Sequence, residues 1–136
     1  MHAELGLTEP LPNVWIGTSI ESDEFVRRAD ALRQAPAAVR FISAEPLLGP
    51  LPSLDVRGLD WVILGGESSK RKDDARPLDL DWVREVMGRC RAADVAVFVK
   101  QLGAVWARAN GAADKKGGEP EEWPADLRVQ EFPTTA

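Results

Sequence analysis

Four apolar runs recur along the chain, and each ends the same way. They are VWIGTSIE (14–21), VRFISAE (39–45), DWVILGGE (60–67) and VAVFVKQLG (95–103). β-Branched and aromatic residues fill their first halves, which predicts strands. They are apolar almost throughout, and strands of that kind need cover on both faces. Parallel sheets flanked by helices supply that cover. The run ends turn polar or small: Thr18-Ser19-Ile20-Glu21, Ser43-Ala44-Glu45, Gly65-Gly66-Glu67 and Lys100-Gln101. In a parallel sheet the carboxyl ends of the strands share one edge, and ligands bind there.

The segments between the runs support this reading. Ser22 is placed to cap a helix, with Asp23 and Glu24 suited to its positive end, and Phe25, Val26, Ala29 and Leu32 recur at helical spacing. Ala35-Pro36 ends that helix. The stretch 46–59 holds three prolines and two glycines, so a short or irregular crossover is predicted there. Asp79 can cap a helix with Trp82, Val83, Val86, Met87 and Cys90 on one stripe, and Arg89 and Arg91 suit its C-terminal end. A short helix is predicted over 104–110. The expected class is α/β: a parallel sheet of about four strands with β/α alternation and right-handed crossovers.

With 136 residues the chain fits a single domain, 1–136. Residues 1–12 read as an irregular leader and 13–108 as the β/α core. Residues 109–136 read as a mobile tail with a short strand over 126–132, because GAADKKGGEPEEWPA mixes glycine, proline and charge. The N-terminus lacks the pattern of a secretory signal, and no apolar run approaches the roughly 18 residues of a membrane helix. A cytoplasmic protein without a membrane partner is therefore expected. The net charge of −5 argues against generic nucleic-acid binding.

The chain has one cysteine, Cys90, and one histidine, His2, too few for a thiolate or imidazole metal cage. Cys90 sits on an apolar stripe and reads as inert core. Ser19, Ser43 and Ser68 have no histidine near them in the pattern, which disfavours a Ser-His-Asp hydrolase. Neither GxGxxG nor GxxxxGK[ST] occurs. Gly65-Gly66 is thus weak evidence for phosphate, and close backbone approach to any ligand fits it equally. Lys70-Arg71-Lys72, followed by Asp73-Asp74, reads as a solvated loop. Trp15, Trp61 and Trp82 read as core.

The candidate site follows from the run ends. Three acids and a lysine would converge on one mouth, with Lys100 or Arg76 as counter-charge, since buried carboxylates are costly unless paired. Solvated strand ends with a Gly-Gly turn are the plain alternative. Repetition of the pattern in all four runs favours a shared mouth.

The stretches NVWIGTSIES, RFISAEPLLGPL, DWVILGGESS, ARP, DWVREVMGRC and VFVKQLG resemble successive C-terminal motifs of a phage and bacterial family of unknown function. The likeness covers about residues 13 to 103, and LRVQEFP resembles the family's ending. Its full-length members resemble radical S-adenosylmethionine enzymes and carry an N-terminal three-cysteine motif for a [4Fe–4S] cluster in a partial (β/α) barrel. This chain has no such motif. The resemblance implies half of a TIM-like barrel, with strand-end residues around a cofactor's adenine, ribose and methionine carboxylate. Ser19, Glu21, Glu45, Gly65, Gly66, Glu67, Arg76 and Lys100 are the candidates by position. It leaves S-adenosylmethionine open as a ligand, with no Fe–S cluster and no cofactor chemistry by the chain alone.

A half barrel has two open edges and an uncovered face. Closure is expected from a homodimer, from a complementary protein chain, or from the leader and tail. A phage-type binding or regulatory protein, non-catalytic by itself, is the first functional expectation. The cofactor- or substrate-binding half of a split radical enzyme is the second, and a remnant without present role the third.

Overall fold

The computed structural model describes residues 11–68 and 74–134. Four strands, β1 (Leu11–Ser19), β2 (Ala37–Ala44), β3 (Trp61–Gly65) and β4 (Ala96–Gln101), form one sheet in the order β1-β2-β3-β4. Each neighbouring pair is parallel. The order follows the chain without reversal, an order that consecutive strands of a β/α barrel share with one half of a doubly wound sheet.

Three helices accompany the sheet: α1 (Arg28–Gln34), α2 (Leu80–Ala92) and α3 (Ala104–Ala109). Ile42 and Ala44 of β2, Val62 and Leu64 of β3, and Val97 and Val99 of β4 point to one side of the sheet. There they join Ala29 and Leu32 of α1 and Val83, Val86, Met87 and Cys90 of α2 in a single core. The α2 stripe read from spacing is thus the stripe that is buried. Asp79 caps this helix as its position suggests, its Oδ1 accepting the Asp81 N–H at 2.9 Å.

Ser22 does not cap α1. It precedes a one-turn 3-10 helix, Asp23–Phe25, without a side-chain cap bond, and α1 starts later. Asp23 instead accepts from Ser53 N and Oγ, both at 2.9 Å, and so ties down the crossover.

The crossover, residues 45–60, has no helix, as its prolines predict. Leu47, Leu51, Leu54, Val56 and Leu59 fill the layer a helix would occupy. An irregular segment leaves carbonyls without ladder partners. Arg33 donates to Arg57 O at 2.7 Å and also to Asp55 O, and Arg89 donates to Leu51 O.

Four expectations change. β1 begins at Leu11, inside the predicted leader, and its register against β2 shifts between Leu11 and Trp15. An edge strand tolerates Pro12 because one side of it makes no ladder bonds. Composition predicts mobility beyond 109, yet Trp123 and Leu127 of that stretch lie in the core. Trp123 Nε1 donates to Gly117 O at 2.8 Å. The strand expected over 126–132 is reduced to one antiparallel bridge, Phe98 to Gln130, behind a 3-10 turn at Ala125–Leu127. Around it, Val99 N donates to Val129 O and Glu131 N to Val97 O, both at 2.8 Å. Glu131 Oε1 accepts the Val97 N–H at 2.9 Å. The β4 edge, expected to be open, is therefore lined by the chain's own C-terminal segment.

Among the described residues no helix is long and apolar enough to cross a membrane.

Candidate functional site

Side chains alternate across a strand, so one parity of all four strands faces away from the helices. On that inner side β1 places Trp15, Gly17 and Ser19, β2 places Phe41 and Ser43, β3 places Trp61, Ile63 and Gly65, and β4 places Phe98 and Lys100. The face is graded along the strands. Aromatic residues stand toward the amino ends and small or charged ones toward the carboxyl ends.

Trp61 organises the aromatic part. Its ring lies 5.9 Å from Trp15, 5.9 Å from Phe41, 6.2 Å from Phe98 and 5.5 Å from Phe132, mostly tilted or edge-on. Such geometry suits ring quadrupoles. Its Nε1 donates to Glu131 O at 2.8 Å. Gly17 makes room for Phe41, because a Cβ there would sit 2.3 Å from that ring. Trp15, expected in the core, is instead 43% exposed on this face. Apolar content alone marks these residues as core, and only the alternation within each run separates the two faces.

At the carboxyl ends the acids are paired. Glu45 continues the inner-face parity of β2, and Lys100 lies beyond β3 on β4. Lys100 Nζ stands 3.3 Å from Glu45 Oε1. Gly65 lies under the bridging side chain: a Cβ at 65 would fall 2.9 Å from Glu45 Oε2 and 3.1 Å from its Cγ. Glu45 Oε2 is buried and receives no hydrogen bond.

Glu67 is held by Arg76 at three points. The Arg76 backbone N–H reaches Oε1 at 2.8 Å, its Nε reaches Oε1 at 3.0 Å and its Nη2 reaches Oε2 at 2.7 Å. These bonds, the side-chain ones first, hold the Glu67 carboxyl below its usual range against the opposing effect of burial. The same pairing raises Arg76, with a smaller contribution from the charge of Glu21. Both cations are more than half exposed, while the two carboxylates are mostly covered.

The two glycines have different roles. Gly66 is pressed on the chain after β4, where a Cβ would lie 2.4 Å from Leu102 O. Gly66 N donates to Gln101 O at 2.9 Å, and Ala104 N donates to Glu67 O at 2.9 Å. Gln101 Nε2 donates back to Gly66 O at 2.9 Å. Gly103 completes the junction at φ 94°. The close backbone approach that Gly-Gly suggests is thus made by protein at 66 and by the Glu45 side chain at 65.

Ser19 is exposed and stands level with Ser43; its carbonyl accepts from Arg28 at 2.9 Å. The Glu21 carbonyl accepts from Leu48 N at 2.8 Å. Glu45, Gly65 and Lys100 meet as one group, and Glu67 and Arg76 as another beside Gly66. Ser19 and Glu21 flank them on the β1 side. Lys70, Arg71, Lys72 and Asp73 lie outside the described residues. Gln101, which knits Gly66 and Ser68 together, was not among the candidates.

A family model described as "Protein of unknown function (DUF5131)" matches residues 2–126. The chain belongs to this family. Searches of curated proteins and of solved structures found no match.

The matched span holds all four strands and every rim residue from Ser19 to Lys100. Among the described residues no group of three or more His, Cys, Asp or Glu side chains is placed to hold a metal ion. Cys90 lies on the buried stripe of α2, and burial pushes its thiol up to about 12.

Proposed function

We propose that this chain is a binding protein whose strand-end rim takes a small zwitterionic or cationic ligand, with S-adenosylmethionine as the first candidate. The observation that carries the reading is the pair of side-by-side ion pairs, Glu45–Lys100 and Glu67–Arg76, above an open aromatic face. Exposed cations can turn to a ligand carboxylate without being taken out of the protein interior. The covered carboxylates then accept from an amine or from ribose hydroxyls. Three acids, Glu21, Glu45 and Glu67, stand against two cations, which suits a ligand whose sulfonium leaves it with net positive charge. Glu45 Oε2, with no donor of its own, is the acceptor most in need of one.

On this reading the chain alone performs no chemistry on its ligand and acts as a binding or regulatory protein of the cytoplasm. The second reading is the ligand-binding half of a split radical enzyme. It is favoured by the motif likeness to radical S-adenosylmethionine proteins and by the graded inner face, which has the pattern of one side of a barrel interior.

Calorimetric titration with S-adenosylmethionine tests the first reading. Binding to the wild type that is weakened about tenfold or more in Glu45→Gln and Lys100→Met supports it. No heat at millimolar ligand, or unchanged affinity in both variants, removes it. For the second reading, reductive cleavage of the ligand only when a cluster-bearing chain is added is the distinguishing result.

A further inference from the structure

The chain has two asparagines, Asn13 and Asn110. Asn13 lies in β1 and precedes Val14. Asn110 closes α3 and precedes Gly111. The side-chain amide of an asparagine is open to attack by the backbone nitrogen of the next residue. Glycine leaves that nitrogen uncrowded, whereas a β-branched residue shields it.

At residue 110 the fold holds this reaction in check. Asn110 is exposed, with ψ 5°, and Gly111 follows at φ 64°. Asn110 N and Nδ2 both donate to Trp106 O, at 3.0 and 2.9 Å. Ala112 N donates to Ala107 O at 2.9 Å and completes a glycine-ended helix finish. Attack on Cγ closes a five-membered ring, which needs Gly111 N to lie over Cβ of Asn110. At ψ 5° it lies beside Asn110 N instead. The nitrogen that would leave is also tied to Trp106 O. Anchorage changes along the helix: Trp106 and Ala107 pack into the protein, while residues 108–111 are exposed. The last turn is therefore able to open while the rest of α3 stays in place.

We infer that Asn110–Gly111 is a self-modification site latched by the cap of α3. When the last turn opens, Gly111 N bonds to Asn110 Cγ. The Cγ–Nδ2 bond breaks, and ammonia leaves with the proton given up by Gly111 N. The product is a succinimide. Water then opens the ring, at Cγ to give aspartate or at the backbone carbonyl to give isoaspartate. Either product has a carboxylate and no side-chain amide. A carboxylate has no N–H for Trp106 O, and it faces the partial negative charge of the helix end. The latch does not form again after conversion, and the end of α3 is left looser.

The inference does not depend on the rim ligand. Peptide mapping by mass spectrometry tests it, on the full chain incubated at mildly alkaline pH with and without urea. An isoaspartyl methyltransferase assay identifies the isoaspartate. Residue 110 is expected to convert in both conditions, at least about tenfold more slowly in the folded chain. Asn13 is expected to stay intact in the folded chain. Ala109→Gly weakens the last turn; it should raise the folded-state rate about fivefold and leave the rate in urea unaltered, with circular dichroism confirming that the variant folds. Asn110→Ser should abolish the signal. A folded chain in which Asn110 does not convert overturns the inference. So do equal rates with and without urea, or a folded-state rate that Ala109→Gly does not move.

Discussion

Glu45 reaches Lys100 across an intervening strand because residue 65, lying between them, has no side chain. Oε1 stands 3.3 Å from the ammonium, and the space a Cβ would take is filled by Oε2. Gly65→Ala should push the carboxylate aside, break the pair and destabilise the fold by about 1–3 kcal/mol, the usual effect of overpacking. Combined with Glu45→Ala the two changes should couple, the double variant losing less than the sum of the singles. Urea denaturation of the four proteins measures this, and simple additivity would count against the crossing geometry.

Gly66→Ala should be worse. The atom in the way is Leu102 O, part of a backbone bonded to its neighbours, and it cannot turn aside as a side chain can. A loss of about 3 kcal/mol or more is expected in the same denaturation experiment. An effect smaller than that of Gly65→Ala would show that the junction between the ends of β3 and β4 is loose.

Much of this was legible in the runs themselves. Apolar strands with polar ends gave the parallel sheet, and the Asp79 cap with the stripe through Cys90 gave α2. The acids and their counter-charges were also visible, since Lys100 and Arg76 were the cations available at the strand ends. Which acid each would meet was not legible. That depends on Gly65 leaving a path over β3 and on the chain returning from residue 67 to Arg76. The tail was misleading because Trp123 and Leu127 sit among glycine, proline and charge, and local composition carries no information about a distant core. Pro12 likewise hid the start of β1, since a proline is compatible with a strand only at a sheet edge.

Truncating Trp123 tests the placement of that tail. Its ring is 2% exposed, and Trp123→Ala should cost about 3–5 kcal/mol in chemical denaturation. A change within about 0.5 kcal/mol, typical of surface substitutions, would mean that the segment does not pack on the core.

The Glu67 carboxyl should give the fold an acid-side dependence. Its pKa in the folded protein lies below the ordinary value of 4.5, so the stabilisation is fully present above that value. It is lost as pH falls through the lower folded-state value. Glu67→Gln should flatten the stability curve in this acid range and leave its shape near neutrality unaltered. Curves of identical acid slope would exclude the Arg76 contact as its source.

Cys90 should be silent in the native protein. With its thiol pushed up to about 12 by burial, it carries almost no thiolate at pH 8. A disulfide reagent should react only after denaturant is added. Rapid reaction without denaturant would place the α2 stripe away from the core.

The claim on which the rest depends is that the carboxyl ends of β2, β3 and β4 form one ligand-binding rim. Amide chemical shifts of the labelled protein, followed during titration with S-adenosylmethionine, test it most directly. The account predicts saturable changes concentrated at Glu45, at Gly65 to Glu67 and at Lys100 to Gly103. A spectrum that does not change, or changes gathered at the opposite end of the strands around Asp60 and Asp94, would contradict it.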